Sequence, residues 1–214
     1  MNTSIHLLAI VTLLNVSLIY AHNPNSKIEH EKITELEDRL KKIEKELSPI
    51  IKRHKLEKEA KKEKSRAYYR ILSDNDFYSR EELKTIELLY LQASEDWSSD
   101  KAKEITKNLK MRFPKANRTG CALLRYALTL SGNEKINQLI MINNNHKSCY
   151  FPDGVNVGAF SKLTLIIEYK KRKKTNDAEK EIEILKREYQ HSIDHQQTLL
   201  TDRLEELISI FPDS

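Results

Sequence analysis

The chain has 214 residues, of which 32% are charged and 39% hydrophobic, and its net charge is +5 at neutral pH. This length fits one domain with an extension, and a composition rich in Lys, Glu, Leu and Ile predicts helix. The whole charge excess lies between Lys27 and Arg70, with 15 basic and ten acidic residues. We expect no nucleic-acid partner, because interleaved aromatic residues and Gly-rich loops do not accompany this stretch. We interpret it as a solvated helix face.

The first 21 residues contain no Lys, Arg, Asp or Glu, and residues 7–18 form an apolar core. Ala21 is a small residue at a cleavable position, so residues 1–21 are predicted to be a secretory signal peptide. The alternative is an uncleaved anchor, for which an apolar run of about 17 residues is marginal. We therefore expect an exported protein, either periplasmic or secreted.

Residues 22–73 are predicted to form a short coiled coil followed by a basic helix. Six apolar residues recur at spacings of 3-4-3-4-3, the a/d pattern of a heptad repeat: Ile33, Leu36, Leu40, Ile43, Leu47 and Ile50. Pro49 is expected to begin the basic helix, because Pro is tolerated in the first turn and not in a helix interior. The apolar end of that helix, residues 67–72, is expected to dock on the following domain. The coil either joins copies of the chain, as a dimer or trimer, or folds back as a hairpin.

Residues 74–214 contain an eight-residue phrase that occurs twice. Residues 113–120 read FPKANRTG and residues 151–158 read FPDGVNVG, so Phe, Pro and Gly each recur 38 positions apart. The residues before each phrase also match two periods later: Ala102, Leu109 and Phe113 against Ala178, Leu185 and Tyr189. A fixed period of 20–50 residues is typical of repeat proteins.

Apolar residues in this region have helical spacing, and no segment shows a convincing alternation with a period of two. Ser79 and Glu82 match a capping box at the start of the first helix. We therefore predict an all-α domain of helix pairs. The helices are expected at about 80–93, 101–112, 121–130, 134–143, 159–169, 176–189 and 196–210.

Helix pairs whose second helix ends in Ala, Leu and then Phe or Tyr followed by Pro resemble tetratricopeptide repeats, especially the longer-period forms of bacterial envelope proteins. In the middle unit this ending is Phe151-Pro152, with Ile140 where Ala is expected. A short coiled coil before such repeats is similar in layout to the family of Tol–Pal-associated periplasmic proteins. The resemblance implies a right-handed helical solenoid that binds partner proteins, and a coil that forms trimers.

Cys121 and Cys149 are the only cysteines, and the helix hairpin between them brings its two ends together. In an oxidising compartment we expect a disulfide between them, and two buried thiols are the alternative. His191, Asp194 and His195 are the candidates for a metal site or an enzyme centre, because two imidazoles and a carboxylate on one helical face can hold a metal ion. We expect these residues to cap and pack a loop instead.

The loop after the second Phe-Pro pair lacks the Lys of a phosphate-binding loop, so we expect no nucleotide cofactor. It is the least generic loop of the domain, and Phe151, Pro152, Asp153 and Gly154 are the predicted partner-binding residues. We expect an exported, non-enzymatic helical-repeat protein that binds another protein, without a metal, cofactor or small-molecule substrate. The alternatives are an envelope metal-binding protein or enzyme, and a purely structural stalk.

Overall fold

The computed structural model describes residues 26–210, and side chains from residue 32 to residue 208. This part of the chain is all-α, as predicted, and contains eight α-helices and one short 3-10 helix, Ser73–Asp76, without a β-strand. The helices are α1 (Ser26–Leu72), α2 (Arg80–Ser94), α3 (Asp100–Arg112), α4 (Asn117–Thr129), α5 (Gly132–Asn145), α6 (Val157–Lys171), α7 (Thr175–Glu188) and α8 (Leu200–Ile210). The predicted signal peptide, residues 1–21, lies outside the described residues. Between residues 26 and 210, no helix has both the length and the apolar character that a membrane span requires.

Helix α1 is continuous through Pro49, so the helix boundary predicted there is wrong. Pro49 removes one backbone hydrogen bond at a cost of about 3 kcal/mol in a helix interior. The Lys- and Glu-rich segments on both sides favour helix, and the helix continues across the missing bond. The chain divides into two compact units between Arg53 and His54, inside α1. The second half of this helix therefore belongs to the unit that contains α2 to α8.

The second half of α1 docks through a different face from the predicted one. Tyr68 and Tyr69 are 60% and 70% exposed, and Ala67 is the only fully buried residue of the predicted apolar end. The buried face consists of Glu59, Ala60, Glu63 and Ala67, whose spacing places them on one side of the helix. The small alanines allow close backbone approach, which the large aromatic side chains would prevent.

Helix ends are capped both by neighbouring residues and by residues from distant parts of the chain. The predicted capping box of Ser79 and Glu82 is present at the start of α2. Helix α4 begins at Asn117, four residues earlier than predicted, although its N-cap residue offers no side-chain hydrogen bond. Instead, the backbone N–H of Asn117 donates to the carboxylate of Asp74, with its two oxygens at 2.8 and 3.1 Å. A cap supplied from such a distant part of the chain has no signal in the local sequence.

From α2 to α7 each helix packs against the next one, and the first helix of each pair also contacts the first helix of the next pair. Thus α2 contacts α4, α4 contacts α6, and α6 contacts α8. Three clusters of buried apolar residues fill the spaces between these helices, centred on Leu109, Leu139 and Leu204. The stack therefore has a continuous core along its length.

The 38-residue period of the sequence is not constant in the structure. Phe113, His146 and Tyr189 are the residues that follow α3, α5 and α7, and each donates its backbone N–H to the carbonyl four positions earlier. These equivalent positions are 33 and then 43 residues apart. Consequently Phe113 and Phe151 are not equivalent, because Phe151 lies five residues beyond the cap of α5. The connection before α4 has four residues, whereas those before α6 and α8 each have eleven.

Candidate functional site

The two long connections have the same backbone structure. We call residues 146–156 the first hairpin loop and residues 189–199 the second. The first is closed by an isolated bridge between Tyr150 and Asn156, and the second by a bridge between the residues 43 positions later. The remaining backbone hydrogen bonds of the first loop recur in the second loop between residues 43 positions later. They include those donated by the N–H groups of Phe151 and Asp194, at 2.9 and 2.8 Å.

Each hairpin loop turns at a residue with a left-handed backbone. In the first loop this residue is Gly154, with φ 97°, and in the second it is Gln197, with φ 63°. A Cβ atom added to Gly154 would lie 2.9 Å from the backbone nitrogen of Lys64. Glycine is therefore required in the first loop by both its conformation and its close contact with α1.

The tips of both loops meet beside α4 in an arrangement that we call the imidazole cluster: Arg125, Phe151, Asp153, Phe160 and His195. Nδ1 of His195 lies 2.6 Å from a carboxylate oxygen of Asp153, and Nε2 lies 3.2 Å from a guanidinium nitrogen of Arg125. The imidazole also packs against the rings of Phe151 and Phe160, at centroid distances of 5.1 and 5.5 Å. Two successive helix pairs, α4 with α5 and α6 with α7, each with its following loop, thus contribute to one site.

The hydrogen bonds of the cluster determine the tautomer of His195. A guanidinium has only donors, so Arg125 donates and Nε2 must accept. Nδ1 then carries the proton and donates it to Asp153. Because Nε2 is already used by Arg125, the imidazole is not free to act as a general base. The arrangement instead holds Arg125 in a defined position.

The predicted partner-binding residues are only partly accessible. Phe151 and Gly154 are buried, whereas Pro152 is exposed and Asp153 is partly exposed. Phe151 packs in the core below α4, and its ring is covered by the guanidinium of Arg125 at 4.8 Å. Of the four, only Pro152 and Asp153 offer side-chain surface to a partner.

The three candidate metal ligands lie in one loop but point to different neighbours. Nδ1 of His191 lies 3.5 Å from a carboxylate oxygen of Glu59 on α1. Asp194 accepts hydrogen bonds from backbone N–H groups of its own loop and pairs with Arg203 at 2.8 Å. His195 belongs to the imidazole cluster. Among the described residues, no group of three His, Cys, Asp or Glu side chains is arranged to hold a metal ion.

Cys121 and Cys149 are both buried and are free thiols in this structure, so the predicted disulfide stays a prediction. Burial raises the pKa of Cys149 to about 11 and raises that of Cys121 as well. The Sγ atom of Cys149 lies against the backbone of Gly120, where an added Cβ would be only 2.6 Å away. Both thiols are therefore neutral near pH 7, and neither supplies a nucleophile.

The heptad residues of α1 lie on its surface. Ile33 is partly exposed, and the other five residues of the seam are between 45% and 64% exposed. These apolar side chains repeat along a single helical face within the first compact unit. Their role in oligomerisation remains a prediction.

Sequence reasoning missed Arg125 and Phe160, the two residues of the imidazole cluster that lie on helices. A signal was present for one of them, because Arg125 is the only charged residue between Cys121 and Leu130. A lone charge in an apolar helix marks either a buried pair or a site. Its partner His195 was identified as a candidate, but for a metal.

Comparison with protein-family models, with curated proteins and with solved structures yields no match for this chain. Any functional conclusion therefore depends on the geometry of the chain itself.

Proposed function

We propose that the chain is a non-enzymatic scaffold, in which a tetratricopeptide-like, right-handed solenoid of helix pairs binds another protein. The observation that carries this proposal is the contact of each first helix with the next, from α2 to α8. Stacked helix pairs of this kind bury a continuous core and leave an extended surface for a partner. On α2 that surface includes Leu88 and Leu91, which are 60% and 52% exposed.

A pocket beside α2 supports the same function. It has a volume of about 220 Å³ and lies between the end of α1 and α2, within the second compact unit. Its apolar lining includes Ile71, Leu72 and Leu83. An apolar side chain of a partner that is anchored in such a recess is typical of protein interfaces.

Site-specific photocrosslinking in the full chain tests the binding surface. A photoreactive residue at Leu88 or Leu91 is expected to yield one adduct of defined mass in cells of the source organism. The control position is Met111 on α3, which is 68% exposed and belongs to a second helix of a pair. Equal adducts from all three positions, or none from Leu88 and Leu91, would contradict binding through the first helices.

We also propose that the seam of α1 joins copies of the chain in parallel. In a parallel coiled coil, a g residue faces the e residue five positions later in the partner helix. This rule pairs Lys32 with Glu37 and Arg39 with Glu44, which are opposite charges. In an antiparallel pair, Glu37 and Glu44 would face acidic residues at other e positions. The resemblance to the periplasmic family suggests three helices.

Light scattering of the full chain tests this self-association. We expect a dimer or trimer for the unaltered protein and a monomer for the double variant Leu40→Asp, Ile43→Asp, because two charges in the seam abolish a dry interface. The control is Met111→Asp, at an exposed apolar residue outside α1. A monomeric unaltered chain would refute the seam as an assembly device.

Export is proposed on the basis of residues 1–21 alone. The protein isolated from its source is expected to have the mass of a chain without residues 1–21. The same mass measurement, with alkylation before and after reduction, tests the bridge between Cys121 and Cys149. Two alkyl groups added without reduction would show that both thiols stay free.

A further inference from the structure

We propose that the imidazole cluster binds a carboxylate carried by an apolar peptide segment of the partner, and that Arg125 receives it. The proposal deepens the scaffold function and depends on it, since it names the chemistry of one contact with the partner. It is independent of the pocket beside α2 and of the seam of α1.

Arg125 has unused hydrogen-bonding capacity. It is partly exposed, and among the described side chains its only hydrogen-bond partner is Nε2 of His195. The flat face of its guanidinium lies over the ring of Phe151 at 4.8 Å. A guanidinium has five N–H donors in a planar fork, so the edge turned away from His195 retains donors for a bidentate oxyanion.

Three other arginines of the same unit differ from Arg125 in that each faces a carboxylate. The pairs are Arg70 with Asp74, Arg118 with Glu87, and Arg203 with Asp194. The guanidinium of Arg125 instead contacts an aromatic ring and an imidazole, and it has no carboxylate partner among the described side chains. We infer that the missing anion comes from another molecule.

The surroundings of Arg125 favour a single negative charge on an apolar segment. One guanidinium supplies one positive charge, and Asp153 lies on the other side of the imidazole, where it repels a doubly charged ligand. Phe160 is partly exposed and packs against the imidazole at 5.5 Å, so it provides apolar surface beside the charged group. These features suit a carboxylate flanked by apolar side chains and disfavour a phosphate dianion.

His195 and Asp153 act as positioning residues. The carboxylate of Asp153 holds the proton on Nδ1, and this leaves the Nε2 lone pair to accept from Arg125. The guanidinium is thereby oriented before a ligand arrives, which lowers the entropy cost of binding.

The test is a titration of the isotopically labelled full chain, observed through the Nε–H signal of Arg125 by NMR. Three capped peptides serve as probes: acetyl-Phe-Glu-Phe-amide, acetyl-Phe-Gln-Phe with a free carboxylate, and acetyl-Phe-Gln-Phe-amide. We expect at least one charged peptide to shift the signal with an affinity at least about tenfold above that of the neutral peptide. Whichever charged peptide binds identifies a side-chain or a C-terminal carboxylate as the source.

Variants and a competing anion sharpen the test. Arg125→Gln is expected to abolish the preference for the charged peptide, whereas Arg172→Gln should keep it. Among the described side chains, Arg172 likewise has no carboxylate partner and no aromatic ring over it, and it hydrogen-bonds Asn133, so it is a matched control. If Arg125→Gln does not fold, Asp153→Asn replaces it. The amide oxygen of Asn can still accept from Nδ1, so the orientation of Arg125 is kept while one repelling charge is removed, and the affinity for the charged peptide is expected to rise about twofold.

The proposal is overturned if the neutral peptide binds as well as the charged ones, if inorganic phosphate binds more tightly than they do, or if Arg125→Gln leaves the preference unchanged. Failure of the scaffold function is distinguishable from these results. A crosslinked partner that is captured equally by Arg125→Gln would leave the scaffold in place and remove the carboxylate site.

Discussion

The two hairpin loops share one backbone conformation but are stabilised by different side-chain interactions. Position for position, Phe151 in the first loop corresponds to Asp194 in the second, and Gly154 corresponds to Gln197. The first loop is fixed by burying an aromatic ring and by close packing on α1. The second is fixed by a carboxylate that accepts from the N–H groups of Gln196 and Thr198. The same turn can therefore be stabilised either by apolar burial or by polar bonds within the loop.

The loops also meet α1 at different acids. In the first loop, Tyr150 lies beside Glu63, a buried acid whose pKa is raised above 4.5 by burial. In the second loop, His191 lies beside Glu59, whose pKa is lowered by the hydrogen bond from Lys62 and further by charges that include His191. Burial therefore favours the neutral form of Glu63, against the hydrogen bond from Tyr150, whereas the contacts of Glu59 favour its charged form.

The largest expected difference follows from the first pair of positions. Phe151→Ala is expected to lower the free energy of unfolding by about 3–4 kcal/mol, because it removes a buried aromatic ring from the core. Asp194→Ala is expected to cost about 2 kcal/mol, because it leaves two backbone N–H groups and Arg203 without their acceptor. Urea unfolding monitored by circular dichroism measures both. An Asp194 variant as damaging as the Phe151 variant would mean that the second loop does not depend on local polar bonds alone.

The second prediction concerns the turn residues. Gly154→Ala is expected to destabilise by about 2–3 kcal/mol, since it introduces strain at φ 97° and a clash with the backbone of Lys64. Gln197→Gly is expected to change stability by less than about 1 kcal/mol, because relief at φ 63° is offset by greater freedom of the unfolded chain. Thermal unfolding distinguishes the two. A neutral Gly154→Ala would contradict the close contact with α1.

The smallest effects concern pH. The folded pKa of Glu63 lies above its unfolded value, so its contribution to stability is present at low pH and is lost as the pH rises through the folded pKa. The folded pKa of Glu59 lies below its unfolded value, so its contribution is present above that value and is lost as the pH falls through the folded pKa.

Glu63→Gln should therefore flatten the decline of stability with rising pH, and Glu59→Gln should flatten the decline with falling pH. Unfolding free energies measured in urea between about pH 4 and pH 8 provide the comparison. The two substitutions are expected to change the slope of the unfolding free energy against pH in opposite directions. Equal changes would show that the two acids are not in different environments.

Periodicity in the sequence was sufficient to predict the helices, but their connections were harder to predict. The 3.6-residue pattern and the capping box of Ser79 and Glu82 are local, so α2 was predicted closely. The equivalence of Phe113 and Phe151 was wrong because two units of 33 and 43 residues average to the observed 38. The correct register depends on backbone hydrogen bonds that side-chain identities do not encode: Cys149 with Val157 in one loop, and Ser192 with Leu200 in the other.

Long-range contacts also limited the prediction of the site. His195 was recognised as a candidate from its type, but its neighbours Arg125 and Asp153 are 70 and 42 positions away in the chain. Likewise, Glu63 is an ordinary helix residue in the sequence, and its burial depends on a loop that is distant from it in the chain. Apolar patterning predicts which faces are buried only where the buried face is apolar.

The matching loops have a consequence for how this protein can be lengthened. Residues 157–199 comprise one helix pair and its following hairpin loop. Val157 and Leu200, which are 43 positions apart, donate equivalent backbone hydrogen bonds to Cys149 and Ser192. A tandem duplication of this segment after Leu199 would therefore insert one more module whose junction with the preceding module repeats an existing one. The 43-residue spacing thus defines a modular building block that a protein engineer could copy to extend the array.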